Sequence, residues 1–398
     1  MKARASREFR TPSGVTLLYV ATISETIRQF LIPYATHFRG LGWRVEAAAN
    51  GASRDAALLE AFDQVHELPL SRSVLDVGGW VRGQRAISQV LTSNPDIIHV
   101  HTPIASFITR FCARRMPSGK RPVVAYTAHG FHFHRHGQAP TNLLFLAAEM
   151  LAGRWTDRLV VINDEDYDAA RRYRIVPAGR LVRMPGIGVD TEFYSRARIG
   201  PRDNADPRDY LGAEPGTPYF VVVGELSRRK RTADVVEALA LMRHKDAIVV
   251  LAGLGREQER LEDLASRRRV LARVRFAGFV EDVRPLVGSA TALVLASDRE
   301  GLARAIMEAL ALEVPVIAST ARGNRELVDA ETGIIVPTGD TRVLAAAMDW
   351  LIDHPVERRE MGRRGRPRMV ERYDLRTLLR RHEEMYAEML ATRGTRRG

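Results

Sequence analysis

The chain has 398 residues, of which 45% are hydrophobic, and a formal net charge of +12 at pH 7. This length accommodates two domains with separate cores, whereas no uninterrupted apolar run reaches the roughly 20 residues of a membrane-spanning helix. The positive charge attracts nucleic acids, anionic membranes and phosphorylated substrates alike, but zinc-finger spacing and aromatic RNA-binding motifs are absent, so we expect no specific nucleic-acid partner.

The start of the chain, residues 1–13, is basic and polar. It lacks the apolar segment of a secretory signal, and we expect a disordered tail there. The single cysteine, Cys112, excludes an internal disulfide and is typical of a reducing compartment. These features predict a cytoplasmic protein.

Apolar runs alternate with helical patterns through the first half of the chain. This alternation is typical of a parallel sheet covered by helices on both faces. The predicted elements are strand 15–20, a helical segment at 22–39, strands 44–49 and 97–100, helix 104–115, strand 123–127, helix 141–153 and strand 158–162.

The alternation breaks near residue 185 and resumes after a stretch rich in Pro, Gly, Asp and Arg. The second series comprises strand 219–223, helix 232–242, strand 247–252, helix 257–267, strands 274–276 and 292–295, a helix from 302, strand 314–318 and helix 341–353. We therefore predict an α/β fold with two doubly wound, parallel-sheet, Rossmann-like domains that face each other across a ligand-binding cleft. The expected boundaries are 14–195 for an acceptor-side domain, 196–217 for a linker, 218–373 for a donor-binding domain, and 374–398 for a last helix and basic tail.

The stretch 297–311 joins an apolar strand to a helix through a Ser/Asp/Gly loop. Backbone N–H groups and the positive end of the helix meet at such a loop, which suits phosphate. Two carboxylates flank it, Glu300 in the loop and Glu308 in the helix. Glu308 lies off the apolar stripe of the helix, on the side of Arg304. This position indicates either a solvated Arg304–Glu308 pair or a carboxylate that binds the hydroxyls of a nucleotide sugar.

Five short motifs occur in a fixed order along the chain. They are Gly186-x-Gly-Val-Asp190, Gly224-x-Leu-x-x-x-Lys230, Gly253-x-Gly255, the two glutamates Glu300 and Glu308 separated by seven residues, and Val336-Pro-x-Gly-Asp340. Together they resemble the retaining GT-B glycosyltransferases of family 4. The stretches 126–133 and 161–167 are similar to those of bacterial capsule and exopolysaccharide transferases.

This resemblance implies a UDP-sugar donor, a polyprenyl-diphosphate-linked saccharide acceptor, no bound metal or other cofactor, and contact with an anionic membrane surface at the cytoplasmic face. Lys230 would neutralise the departing diphosphate, a charge that grows in the transition state. Glu300 would contact the sugar, Glu308 the ribose, and His129 the donor sugar and phosphate. The remaining donor-binding positions implied by the resemblance are Gly224, Glu225, Ser297, Gly301 and Leu302.

Two departures from the family pattern affect the donor site. Glu225 stands where many members carry an Arg that grips the diphosphate, so its carboxylate must turn away or pair with Arg228, Arg229 or Arg231. The loop 21–24 lacks the paired glycines that allow backbone to approach phosphate closely.

Some alternatives stay open at the level of sequence. His132, His134 and His136 alternate as metal ligands on a strand would, although no acidic or Cys partner lies nearby. The apolar segment 142–148 indicates either a membrane-facing helix or a buried one. The rival functions are a UDP-sugar 2-epimerase and a non-catalytic nucleotide-sugar or nucleic-acid binding protein; a Rossmann dehydrogenase would need Gly-x-Gly-x-x-Gly after the first strand, which is absent.

Overall fold

The computed structural model describes residues 14–71, 76–133, 139–200 and 207–395. They form two compact units. The first comprises the chain up to Ile187 together with the segment from Leu378 onward, and the second is Gly188–Thr377. The tail 1–13, His134 and His136 lie outside the described residues, so the expectations for them stay predictions.

The first unit is built on a parallel sheet of seven strands within the described residues, in the order β3-β2-β1-β4-β5-β6-β7. The strands are β1 (Thr16–Ile23), β2 (Arg44–Asn50), β3 (Gln64–Glu67), β4 (Ile97–Val100), β5 (Val123–Ala128), β6 (Arg158–Val161) and β7 (Leu181–Arg183). The helices between them are α1 (Ser24–Phe30), α2 (Ile32–Gly40), α3 (Ala56–Ala61), α4 (Val77–Val90), α5 (Pro103–Arg114), α6 (Ala139–Gly153) and α7 (Asp164–Arg172).

The second unit has a parallel sheet of six described strands, in the order β10-β9-β8-β11-β12-β13. The strands are β8 (Tyr219–Val223), β9 (Ile248–Ala252), β10 (Val274–Gly278), β11 (Ala292–Leu295), β12 (Val316–Ser319) and β13 (Gly333–Val336). The helices are α8 (Pro207–Leu211), α9 (Thr232–Leu241), α10 (Gln258–Arg267), α11 (Arg284–Gly288), α12 (Arg304–Ala311), α13 (Asn324–Leu327), α14 (Thr341–Asp353) and α15 (Pro355–Arg368), followed by α16 (Leu375–Thr395), whose greater part belongs to the first unit.

The central strands are buried on both faces. Along β8, Val221 packs into one apolar cluster, whereas Phe220 and Val222 pack into another on the opposite face of the sheet. Continuous apolar strands of this kind are typical of parallel sheets covered by helices on both sides. The predicted two-sheet α/β architecture is therefore confirmed.

The strand order of each sheet reverses beside its first strand. In the second unit β8 lies between β9 and β11, so the loops that follow β8 and β11 leave the carboxyl edge of the sheet side by side. Ligands of open α/β sheets bind at this reversal. Among the described residues, no helix combines the length and the apolar character needed to cross a membrane.

Candidate functional site

The loop after β8 presents a lysine at the reversal of the second sheet. Gly224 (φ +141°) turns the chain, a single 3-10 turn spans Arg228–Lys230, and α9 follows. The Lys230 side chain folds back over Gly224, so that a Cβ built on this glycine would lie 3.7 Å from Nζ. The glycine thus leaves the lysine ammonium uncovered on that side.

The loop after β11 brings a carboxylate to the same lysine. Lys230 Nζ donates to Glu300 Oε1 at 2.8 Å, and Arg229 Nη1 lies 3.6 Å from the same oxygen. Backbone contacts hold the two loops together, because the Asp298 amide donates to the Arg229 carbonyl at 3.0 Å. Lys230 and Glu300, 70 residues apart in sequence, therefore form one pair at the carboxyl edge of the sheet.

The loop between β11 and α12 is also locked against the loop after β12. Gly323 (φ +76°) lies so close to it that an added Cβ would stand 1.8 Å from the Gly301 carbonyl oxygen. Helix α12 begins at Arg304 without a side-chain cap, two residues later than the sequence indicated. The positive end of this helix is therefore uncapped beside Gly301 and Leu302.

Glu308 is buried, with 6% of its surface exposed, which excludes a solvated helix face. Its Oε1 accepts from Arg304 Nε at 2.6 Å, and Tyr194 hydrogen-bonds to the same carboxylate. Burial raises the pKa of Glu308 above its ordinary value, while Arg304 and Tyr194 act against that rise. The carboxylate is held in a fixed position by two partners.

Three arginines lie together, since Arg229 and Arg322 are each within electrostatic reach of Arg299, and Arg229 links them to the Lys230–Glu300 pair. Arg229 Nη1 donates to the Arg299 carbonyl at 3.0 Å, so two of them lie in adjoining loops. The pKa of Arg299 is lowered by burial and by the like charges of Arg322, in the loop after β12, and of Arg229. Cations that repel one another are stabilised by an anion placed among them.

Of the two arrangements considered for the Glu225 carboxylate, turned away or paired with a neighbouring arginine, the described ion pairs do not include the second. Glu225 is exposed, and within the described residues Arg228 pairs with Glu257, Arg229 with Glu300, and Arg231 with Asp234 and Asp298 instead. The Glu225 carboxylate is therefore solvated within the described structure. Ser297 is fully buried, and its Oγ has no hydrogen-bond partner among the described atoms.

His129 follows β5 in the first unit, where its Nε2 lies 3.0 Å from His101 Nδ1. Its ring stacks on Phe30, and burial lowers the pKa of His129 to about 4. The residue is therefore neutral near pH 7. A neutral imidazole can donate a hydrogen bond to a sugar hydroxyl or to a phosphate oxygen, and the contact of His129 with the donor stays a prediction.

Backbone at the end of β1 is engaged within the protein. Strand β1 runs directly into α1, and the Thr22 amide is occupied by Thr102 Oγ1 at 2.7 Å. This amide is thus not free to bind phosphate.

Comparisons with known proteins agree with this geometry. The family described as Glycosyltransferase Family 4 matches residues 30–193, and Glycosyl transferases group 1 matches residues 204–368. EpsD of Bacillus subtilis (strain 168), named as a glycosyltransferase, is 32% identical over 365 residues, which cover 91% of this chain and 94% of EpsD. The chain belongs to family 4 of the glycosyltransferases.

Other members and neighbours are more distant. UDP-Gal:alpha-D-GlcNAc-diphosphoundecaprenol alpha-1,3-galactosyltransferase of Escherichia coli is 25% identical over 308 residues, covering 75% of this chain and 76% of that enzyme. The structure of Anabaena HepE in complex with UDP and glucose has a TM-score of 0.80 at 20% identity, covering 94% of this chain and all of HepE. These matches confirm the GT-B fold and the assignment as a glycosyltransferase, in place of the epimerase and non-catalytic alternatives.

Two cations of this family 4 transferase were missed by sequence reasoning. Arg299 and Arg322 were given no role in the sequence analysis, and no motif residue is assigned to either position. The signal that could have found them is position, since each follows one of two adjacent strands, β11 and β12, by a few residues. Carboxyl ends of neighbouring parallel strands meet at one edge, and charges placed there converge.

The contact between Gly323 and Gly301 predicts a large stability effect. Gly323→Ala should lower the free energy of unfolding of the transferase by about 3 kcal/mol or more, because the methyl group collides with backbone and positive φ adds about 1 kcal/mol. Gly216→Ala is the matched control, since φ is +83° and no described heavy atom lies within 4 Å. Chemical denaturation of the two variants measures the difference, and equal losses would show that the two loops are not locked together.

Proposed function

We propose that this transferase is a retaining enzyme that moves a sugar from a UDP-sugar to a polyprenyl-diphosphate-linked saccharide in cell-surface polysaccharide biosynthesis. The observation that carries the proposal is the Lys230–Glu300 pair, at 2.8 Å, beside the uncapped start of α12. The names of relatives support the substrates: the Escherichia coli enzyme takes UDP-Gal and a diphosphoundecaprenol-linked sugar, and HepE binds UDP and glucose.

The cations of the second unit account for stabilisation of the leaving group. As the bond from the anomeric carbon to the phosphate oxygen breaks, negative charge grows on UDP, and Lys230, Arg229 and Arg299 are placed to neutralise it. Glu300 holds the lysine in position and contacts the sugar. Because side chains supply this charge, the proposed reaction needs no bound metal, and turnover should persist in the presence of a chelator.

The proposed chemistry is same-face attack by the acceptor hydroxyl. The new glycosidic bond forms on the face from which UDP leaves, and the acceptor proton passes to the departing diphosphate. Positioning and electrostatics then account for most of the rate. His129 stays a prediction as a donor contact, and its neutral ring suits a sugar hydroxyl.

Glu308 is proposed to accept hydrogen bonds from the ribose hydroxyls. Glu308→Gln keeps the shape of the side chain but removes the charge, so kcat/KM for the donor should fall about tenfold to a hundredfold, the range of a lost charge-assisted hydrogen bond. The control is Glu313→Gln, the same substitution at a glutamate that follows α12 in the same unit. It should leave kcat/KM for the donor unchanged. The ratio of kcat/KM for the donor to kcat/KM for its deoxyribose analogue is then measured for both enzymes. The ribose assignment is rejected if this ratio is the same in the wild type and in Glu308→Gln.

The function itself is tested by measuring UDP release from a panel of UDP-sugars, with and without a polyprenyl-diphosphate-linked acceptor in detergent. We expect release that depends on the acceptor and a product with the anomeric configuration of the donor, read by NMR. An inverted product would reject the retaining mechanism. Epimer formation from the donor alone would instead identify an epimerase.

A lipid-linked acceptor lies in a membrane, and the proposed function therefore includes peripheral contact with the anionic inner face of the cell membrane. The +12 charge favours such contact.

A further inference from the structure

Helix α6 exposes an apolar face. Leu143, Leu144, Met150 and Leu151 are exposed by 68%, 65%, 43% and 43%, and Ala147 between them is exposed as well. The spacing 143, 147, 150, 151 places these residues on one side of the helix. A surface helix in a water-soluble protein normally carries charge on this side, and α6 has none there.

The only charged residue of α6 points the other way. Glu149 is buried, where Arg110 Nη2 donates to it at 3.1 Å and the Tyr126 hydroxyl donates at 2.9 Å. Arg110 itself is 1% exposed. The polar side of the helix is therefore used inside the protein, and the side facing solvent is apolar over its length. The sequence left open whether segment 142–148 is a membrane-facing helix or a buried one. The exposure of two of its leucines excludes the buried helix.

Arginines continue this surface at the end of α6. A groove of about 580 Å³ is lined by Met150, Leu151, Arg154, Arg174 and Arg180. The lining of this groove contains no acidic side chain. Apolar side chains thus border a set of cations, an arrangement that matches acyl chains next to anionic headgroups.

The groove is separate from the His129 region. Helix α6 returns from the carboxyl edge of the sheet, after β5, to the edge where β6 begins, and 15 residues of helix span about 22 Å. Arg154 follows the far end of α6, whereas His129 precedes its near end. Substitutions in the groove therefore leave the candidate catalytic residues in place.

We propose that the apolar face of α6, together with Arg154, Arg174 and Arg180, lies on an anionic bilayer, with the leucines inserted among the acyl chains and the arginines on headgroup phosphates. This proposal rests on the proposed function, for which it names the membrane-binding surface. A second copy of the chain is disfavoured as the occupant of this surface. A twofold-symmetric contact would bring the same patch of both copies together, so that their arginines would repel one another.

Sedimentation with vesicles tests the surface. The full chain should pellet with vesicles of equal parts phosphatidylglycerol and phosphatidylethanolamine, and only weakly with phosphatidylcholine vesicles. The double variant Leu143→Gln/Leu144→Gln should lower the partition coefficient at least tenfold. Arg154→Glu/Arg174→Glu should reduce binding to the anionic vesicles by a similar factor and weaken its salt dependence, without changing the weak binding to phosphatidylcholine.

The matched control is Leu59→Gln, since this leucine of α3 in the same unit is 56% exposed and lies outside the surface. It should bind vesicles as the wild type does. Failure of the wild type to pellet with anionic vesicles, or a dimer in analytical ultracentrifugation that the leucine variant dissociates, would overturn the proposal. UDP release with acceptor in detergent is measured in parallel. Vesicle binding without turnover would reject the proposed function but support the membrane-binding surface. Turnover without vesicle binding would support the proposed function but reject the surface.

Discussion

Replacing Lys230 with Ala should lower kcat/KM for the UDP-sugar at least about a hundredfold, the loss expected when one strong contact to a developing anion is removed. The ammonium lies 2.8 Å from Glu300, and its removal leaves Arg229 Nη1, at 3.6 Å, as the cation that ion-pairs with this carboxylate within the described residues. Less positive charge then remains to neutralise the proposed leaving group. The loss should fall mainly on kcat, because charge on the leaving group is greatest in the transition state.

The control for this prediction is Lys245→Ala. Lys245 is an exposed lysine of the same unit whose Nζ donates to the backbone carbonyl of Met242 at 2.6 Å, after the end of α9. Its removal should leave turnover unchanged and cost little stability. Initial rates of UDP release give both constants. Lys230→Ala with near-wild-type turnover, or with a raised KM alone, would remove the lysine from the catalytic role proposed here.

Sequence periodicity predicted most of the central elements. Strands β4, β8 and β11 and helix α14 begin and end where the pattern of apolar residues placed them, or within one residue. Nearly all residues of the three strands are buried, on both faces of the sheets, so the apolar run and the strand coincide. Elements without such a run were missed, among them the edge strand β3, with exposed Gln64 and Glu67, and helix α15, which is rich in Arg and Glu.

The helix-bearing segment predicted over residues 22–39 holds two helices instead of one, a division that the sequence analysis did not specify. Strand β1 extends to Ile23, and the helix is divided into α1 and α2 at Leu31, where φ is −115° and Pro33 opens the second helix. The helical spacing of apolar residues continues across this break, because the buried residues of the two helices, Ile27 in α1 and Tyr34, Ala35 and Phe38 in α2, follow one helical repeat. The spacing alone therefore does not reveal it.

The interpretation of Glu308 as a solvated residue failed for a different reason. An amphipathic pattern assumes one buried face, but α12 is covered on its other side as well, and every residue from Ile306 to Ala311 is buried. Tyr194, more than 100 residues earlier in the chain, and Arg304 supply the partners that make this burial possible. The sequence analysis already paired Arg304 with Glu308, whereas a partner as distant as Tyr194 is set by the fold and leaves no local signal.

Acidification should destabilise the first unit between about pH 6.5 and pH 4. His99, His101 and His382 are each at most 4% exposed, and burial lowers the pKa of all three, that of His382 to about 4. The unfolded chain takes up protons below about pH 6.5, whereas the native state stays neutral, so protonation favours unfolding. Each histidine should lower the free energy of unfolding by up to about 1.4 kcal/mol for each pH unit of acidification in this window. This loss is large compared with a typical unfolding free energy of about 5–15 kcal/mol.

Within the described residues, the hydrogen-bond partners of these histidines are hydroxyl groups, a backbone carbonyl and another histidine, and none is a carboxylate that would stabilise a charged ring. His99 Nε2 lies 2.7 Å from Thr127 Oγ1, and its Nδ1 hydrogen-bonds to the Tyr386 hydroxyl. His101 Nδ1 lies 3.0 Å from His129 Nε2. The three rings belong to β4, the loop that follows it and α16, so protonation strains the contact between the sheet and the last helix of the same unit.

Urea denaturation at a series of pH values measures this effect. Three of the four tryptophans lie in the first unit, so a Trp350→Phe background makes fluorescence report that unit alone. His382→Leu should reduce the slope of the unfolding free energy by about 1.4 kcal/mol per pH unit between pH 6.5 and 4, because one proton uptake is removed. Leu59→Gln, an exposed substitution in the same unit that changes no titratable group, should leave the slope unchanged. A flat profile in the Trp350→Phe background would show that the buried histidines are not held neutral in the native state.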